Sequence, residues 1–369
     1  MAVRRRPVEG VAVDPAFWRG RRVLVTGHSG FKGSWLCLWL DGLGARVTGF
    51  GLAPPTEPSL YESARVGDGL EERPGDIRDP GAVRSAVAAA RPEVVLHMAA
   101  QPLVRRSYED PLGTYETNAM GTVNLLEAVR LEPGARVAIV VTSDKCYEQR
   151  ADGRPCREGD PLGGADPYSS SKACAELVAA AYRSSFGRDG PAIGSVRAGN
   201  VIGGGDWAAD RLVPDAMRAA LRGEPLAVRN PDAVRPWQHV LNPLSGYLAL
   251  AERLWRAPEE AGPWNFGPEP GDERPVRWIA DRVCELWGDG LSWTEHGDGG
   301  PAETHVLRLD SSKARERLGW RPRWDLDQAL SATVDWFHAH RDGADVRAVC
   351  QAQIAAFAAF AAAGGGGDP

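Results

Sequence analysis

The chain has no C-x-x-C pair and no cysteine beside a histidine cluster; its cysteines stand apart at positions 37, 146, 156, 174, 284 and 350. That scatter excludes a disulfide framework and a structural zinc site, and it leaves reduced thiols. The other histidines have no ligand-like spacing either, so no metal is expected. A basic excess is also missing. With 43 Lys and Arg against 49 Asp and Glu, the net charge is −6, which excludes a general binder of nucleic-acid phosphates and means that any anion is held by local groups. No apolar run approaches the roughly eighteen residues of a membrane span. Pro7, Glu9 and Asp14 follow the basic start where a signal peptide needs an apolar core. A soluble, cytoplasmic protein is expected, with neither nucleic acid nor membrane as partner.

What remains is ample for a globular fold: 369 residues, 43% of them hydrophobic and 25% charged, enough to bury one or two cores. Arg22–Thr26 is a β-branched strand that stops at Gly27 and leads into the apolar-periodic stretch Ser34–Leu43. The alternation continues through strand Arg46–Gly51, helix Pro80–Ala90, strand Val94–His97, helix Leu112–Arg130 and strand Val137–Thr142. A further helix, Tyr168–Phe186, with Leu177, Val178, Ala181 and Tyr182 on one stripe, precedes strand Ala192–Val196. Strands separated by helices imply βαβ crossovers and a parallel sheet covered on both faces. The expected organisation is an α/β fold: a doubly wound dinucleotide-binding domain over residues 1–190, and a smaller, loop-rich substrate domain over 191–345, partly interleaved with the first sheet. Residues 346–369 read as an Ala/Gly-rich tail whose helix frays.

The turn after the first strand reads Thr26-Gly27-His28-Ser29-Gly30-Phe31-Lys32-Gly33. Gly27 permits a tight turn, Gly30 a close backbone approach to a pyrophosphate, and Gly33 the packing of helix on strand. This is a Rossmann-type signature. The acidic residue usual about 20 positions on, at the adenosine ribose, is missing: the second strand ends Val47-Thr48-Gly49-Phe50-Gly51. No arginine stands there for a 2′-phosphate, so NAD is expected rather than NADP.

Tyr168 and Lys172 are four apart at the start of a helix and share one face. An ammonium beside a phenol lowers its pKa and lets tyrosine act as general acid or base toward a hydroxyl; Ser143 closes the strand about 25 residues upstream. These features, with Leu96-His97-Met98-Ala99-Ala100-Gln101 and Arg197-Ala198-Gly199-Asn200, resemble the extended short-chain dehydrogenases/reductases that act on sugar nucleotides. The phrases Gly27 to Leu36, Thr142-Ser143-Asp144-Lys145-Cys146-Tyr147, Gly203-Gly204-Gly205-Asp206-Trp207 and Arg235-Pro236-Trp237-Gln238-His239-Val240 look like the CDP-glucose group of their 4,6-dehydratases.

That resemblance implies a redox-neutral elimination of water from a nucleotide hexose, CDP-glucose favoured. In it Tyr168, Lys172 and Ser143 serve at C4, Asp144 is the acid at C6, and Lys145 is the base or the cation at C5. It implies cofactor contacts from Gly27, Gly30, Phe31, Lys32, Gly33, Ala99, Ala100, Gln101 and Asn118, with Asp76 and Ile77 at the adenine. Sugar-nucleotide contacts fall on Arg106, Ser107, Asn200, Arg211, Arg235 and Glu303. It also implies a homodimer through a four-helix interface, or a tetramer. A sugar-nucleotide epimerase of the same fold has no use for Asp144-Lys145, and a non-catalytic NAD-binding regulator has none for the tyrosine and lysine.

Overall fold

β-Branched and aliphatic runs bounded by turns build the centre of the molecule: β1 (Arg22–Thr26), β2 (Arg46–Gly51), β3 (Leu70–Pro74), β4 (Val94–His97), β5 (Val137–Val141) and β6 (Ala192–Ala198). The structure is a computed structural model that describes residues 13–148, 152–297 and 308–363. The remaining strands are β7 (Asn200–Ile202), β8 (Leu226–Val228), β9 (Val234–His239), β10 (Pro263–Phe266), β11 (Glu273–Pro275) and β12 (Trp293–Glu295).

The main sheet has the order β10-β6-β5-β4-β1-β2-β3, and every pair in it is parallel. Its residues alternate between two cores, as strands covered on both faces must. Val23, Val25, Val94, Leu96, Val137 and Ile139 face one core; Leu24, Val95, Ala138 and Val140 face the other. Each fully buried aliphatic side chain contributes roughly 1.5–3 kcal/mol relative to exposure, so this alternation fixes the register. Helices Phe31–Gly42 and Leu241–Arg256 cover the first face, and helices Pro80–Ala90 and Gly121–Arg130 the second. Thr26 lies level with Phe50 on β2 and His97 on β4. The strand order reverses there, which opens a crevice at the carboxyl ends of the strands.

Two of the seven strands, β6 and β10, come from beyond residue 190, so the later part of the chain is threaded into the first sheet. The rest of that part forms the small sheets β11-β9-β7 and β12-β8 with helices Leu212–Arg222 and Val276–Trp287. Trp35 of the first helix donates its indole N–H to the Gly204 carbonyl at 3.0 Å, tying the two parts together.

Three local expectations are corrected. The stretch Leu112–Arg130 is not one regular helix: Pro111–Tyr115 leads into a π turn at Glu116–Met120 before Gly121–Arg130. Ile77 causes the close approach here, since a Cβ on Gly121 would stand 2.8 Å from its Cγ2. Helix Pro167–Phe186 does not bury its Leu177 side; Leu177 is 59% exposed, and the buried face carries Tyr168, Lys172 and Glu176. Residues 346–363, finally, form a helix that docks as far as Phe357 rather than lying free as a tail, while residues 364–369 lie outside the described residues. Phe357 is fully buried against Trp39 and Trp324, and Arg347 donates to Asp41 and to the Ala64 and Arg65 carbonyls. Among the described residues no helix is long and apolar enough to cross a membrane.

Candidate active site

The glycine turn is shaped by contacts that exclude side chains. Gly27 has φ +72°, and a Cβ there would stand 2.7 Å from the Ala99 nitrogen; a Cβ on Gly33 would stand 2.1 Å from the Gly27 carbonyl oxygen. Gly30 begins helix Phe31–Gly42 without any side-chain cap. The first-turn N–H groups and the positive end of the helix dipole therefore remain for an anion. This cradle fits a dinucleotide pyrophosphate. At the adjoining strand end Ser29 donates to the Leu52 carbonyl at 2.7 Å. Asp76 stands past β3, paired with Arg78 at 2.6 Å, and that guanidinium holds its carboxyl below the usual range. Ile77 is buried beneath it.

Two residues expected at the cofactor brace the backbone beside the glycine turn. Asn118, 2% exposed, accepts from the Gln101 backbone at 2.9 Å and donates to the Gln101 carbonyl and to Ser171 on helix Pro167–Phe186. The Gln101 amide is spent on Leu103 and Thr114. Both side chains thus fix the loop after β4, and the π turn is what brings Asn118 inward. Ala99 and Ala100 follow β4 against the glycine turn.

Asp166 caps helix Pro167–Phe186 by accepting from the Ser169 backbone, which starts the helix at Pro167 and presents Tyr168, Lys172 and Glu176 at successive turns of one face. Ser143, Asp144 and Lys145 stand at the end of β5 in a short 3₁₀ turn. Ser143 donates to Asp144 Oδ1 at 3.0 Å, while Oδ2 is buried with no partner. Burial raises the Asp144 carboxyl above the usual range, against the opposing pull of Lys145, Ser143, Arg235 and Lys32. Lys145 is half-buried beside it.

The expectation that Lys172 depresses the Tyr168 phenol is not what the geometry gives. Burial pushes Tyr168 up to about 12, partly offset by the Ser143 hydroxyl and Arg211. The Lys172 ammonium is turned toward the Val141 carbonyl at 3.2 Å, and burial brings it down to about 8. Lys32 is drawn to about 8 by burial and by Arg211 and Lys172, with Asp144 and Asp206 acting the other way. It therefore shares the electrostatic neighbourhood of Asp144, which its place in the glycine turn alone did not reveal.

On the facing wall, Arg235 of β9 is buried and acts on Asp144. Arg211, ahead of helix Leu212–Arg222, is held by Asp206 at 3.0 Å and acts on both Tyr168 and Lys32. Asn200 opens β7 opposite Trp237. Arg106 is exposed, and the Ser107 hydroxyl is spent on the Val104 carbonyl at 2.6 Å. Neither is brought into the constellation by a contact. Glu303 lies outside the described residues. The buried pair of Glu176 and Arg197, at 2.8 Å, escaped the sequence reading, although Glu176 continues the four-residue spacing of Tyr168 and Lys172.

A parallel sheet with a glycine-cradled crevice, a Ser at one strand end and a Tyr and Lys on the next helix define a dinucleotide-binding oxidoreductase scaffold of the extended short-chain type. Residues 23–267 match the model of the NAD dependent epimerase/dehydratase family, and the chain belongs to that family. It is 51% identical over 341 residues to the CDP-glucose 4,6-dehydratase of Salmonella typhimurium, covering 90% of this chain and 95% of that one. A dTDP-glucose 4,6-dehydratase of Xanthomonas campestris is 28% identical, over 85% and 92% of the two chains. Among solved structures, the Thermus thermophilus UDP-glucose 4-epimerase complex with NAD superimposes with a TM-score of 0.74 at 28% identity, over 86% of this chain and 99% of that one.

Proposed function

We propose that this chain is a redox-neutral, NAD-dependent 4,6-dehydratase of a nucleotide hexose, CDP-glucose to CDP-4-keto-6-deoxyglucose. The observation that carries the reading is Asp144: a buried carboxyl raised above its usual range, next to Lys145 in the chain and within the field of Tyr168. An epimerase needs the tyrosine and lysine but has no proton to deliver at C6.

NAD, when bound, supplies the oxidation at C4 and the later reduction at C6. Gly27, Gly30, Gly33 and the backbone of Phe31 and Lys32 hold its pyrophosphate. Tyr168 takes the C4 hydroxyl proton, with Ser143 and Arg211 favouring the phenolate. The C4 ketone acidifies the C5 hydrogen, which passes as a proton to Lys145 as the base, or to water while Lys145 steadies the enolate as a cation. Asp144 then gives its proton to the C6 hydroxyl, which leaves as water; after the hydride reaches C6, solvent returns a proton to C5. Arg211, Arg235 and Asn200 hold the diphosphate and nucleoside. The part up to residue 190 carries mainly the cofactor, and 191–345 mainly the sugar nucleotide.

Exposed Leu112, Met120 and Leu177, at 70%, 52% and 59%, favour a homodimer in which the Leu112–Arg130 and Pro167–Phe186 segments pair across a twofold. The free cysteines suit the reducing cytoplasm. The test is incubation with NAD and CDP-, dTDP-, UDP- or GDP-glucose in deuterated water. Loss of water with deuterium at C5, from CDP-glucose, is expected. An unchanged mass with inverted C4 makes the protein an epimerase and overturns the reading.

A further inference from the structure

Glu176, one turn beyond Lys172, is 3% exposed, and its partner Arg197 on β6 is 2% exposed. Four donors surround the carboxylate. Arg197 reaches both oxygens through Nε at 2.9 Å and Nη2 at 2.8 Å, Ser195 donates to Oε2 at 2.6 Å, and Thr142 donates to Oε1 at 2.6 Å. Burial alone would raise this carboxyl, but the donors hold it below the usual range. A buried ion pair is often no more stabilising than apolar packing of the same volume, so a wholly satisfied one behind a reacting centre invites a reason other than stability.

The reason lies in what the pair grips. Thr142 is the residue before Ser143, Asp144 and Lys145. At the far end of the same turn the Arg197 guanidinium lies 4.7 Å over the Tyr147 ring, and the Tyr147 hydroxyl donates to Asn265 of β10 at 2.7 Å. The turn is thus held at both ends by groups anchored to helix Pro167–Phe186 and to strands β6 and β10.

We propose that Thr142, through Glu176 and Arg197, is a positioning residue that fixes the Asp144–Lys145 turn in register with Tyr168 and Lys172. It thereby aligns the elimination at C5 and C6 without touching substrate. The proposal rests on the dehydratase reading above. A small displacement of an aligned group costs up to about a hundredfold in rate; the larger part of the loss falls on elimination, where Asp144 and Lys145 act, and a smaller part on C4 oxidation, where Ser143 acts.

The experiment mixes the protein rapidly with NAD and CDP-glucose in deuterated water. Growth of reduced-nicotinamide absorbance follows C4 oxidation; its decay and deuterium entry at C5 follow elimination. Thr142→Val, which keeps the volume and deletes the donor, is expected to oxidise C4 within about threefold of wild type and to eliminate roughly 10–100-fold more slowly. Thr142→Ser is expected to recover elimination. Ser195→Ala removes an equal hydrogen bond from the other carboxylate oxygen on the β6 side, and its elimination should match wild type.

Wild-type elimination in Thr142→Val overturns the proposal, as do equal slowing of both phases or equal slowing in Ser195→Ala, which mark a structural role only. Melting curves establish that each variant folds, and Thr142→Ala takes the place of a valine variant that does not. Wild-type protein that dehydrates no donor overturns the functional reading and this inference with it, whereas active wild type with an indifferent Thr142→Val overturns the inference alone.

Discussion

Gly33→Ala tests the cofactor cradle directly. The added Cβ would stand 2.1 Å from the Gly27 carbonyl oxygen and 2.9 Å from both the Gly27 carbonyl carbon and His28 Cα. Non-bonded carbon contacts settle at about 3.5–4.0 Å, so turn and helix must part by roughly 1 Å or more. All three obstructing atoms are backbone, and no side chain can swing aside. Overpacking of this kind costs about 1–3 kcal/mol. If the turn opens to relieve it, the cost reappears when a pyrophosphate must be seated, as a drop of roughly 5–150-fold in NAD affinity.

Calorimetric titration of NAD into cofactor-free wild type and Gly33→Ala measures that drop, with melting curves recording any remaining strain in the free protein. Gly42→Ala is the control: it lies in the same helix, and a Cβ there meets nothing within 4 Å, so its affinity should match wild type. Equal NAD affinity in Gly33→Ala, with an unchanged melting temperature, would refute the argument that this glycine exists for the close approach.

Three further outcomes are expected. Asp144→Asn should retain C4 oxidation, lose dehydration and raise the melting temperature at neutral pH, corresponding to about 0.5–2 kcal/mol, because a buried carboxyl raised above its unfolded value costs stability wherever it is ionised; an unchanged or lower melting temperature would count against its burial. Glu252, which accepts from Trp18 at 2.7 Å, is pushed up to about 7 by burial. Its folded pKa lies above the unfolded one, so its contribution to stability is full below about pH 4.3 and declines through about pH 7. Melting temperature against pH should show that decline in wild type and lack it in Glu252→Gln. Leu177→Arg places a charge on a 59% exposed apolar position, and sedimentation should find a monomer; a dimer as tight as wild type would remove this face from the interface.

The central strands were legible because Val23-Leu24-Val25, Val94-Val95-Leu96 and Val137-Ala138-Ile139 are apolar on both faces, a pattern only a covered parallel strand needs. β3 was not: Leu70-Glu71-Glu72-Arg73-Pro74 is an exposed edge whose polar residues read as loop. β10 was hidden by distance, since Pro263–Phe266 joins β6 across more than sixty intervening residues. Among the described side chains of the helix at residues 346–363, only Val346, Cys350 and Phe357 are nearly or fully buried, and an alanine run conceals so sparse a face. Within the site, Tyr168, Lys172 and the Asp144-Lys145 pair were readable as local spacing. The partners that orient them, Glu176 with Arg197 and Asn118 with Gln101, meet only through the fold.

The threading of β6 and β10 into the main sheet also bears on how such an enzyme can change. The segment carrying Asn200, Arg211 and Arg235 leaves the sheet at β6 and returns to it at β10, so it is not a detachable cassette. Exchanging everything beyond residue 190 for the corresponding half of a relative would replace two of seven strands and two of the three residues, Ser195 and Arg197 but not Thr142, that ring Glu176. A new sugar or base preference is therefore reached by single replacements on loops over a retained frame, and libraries built by recombining halves should yield mostly insoluble chains.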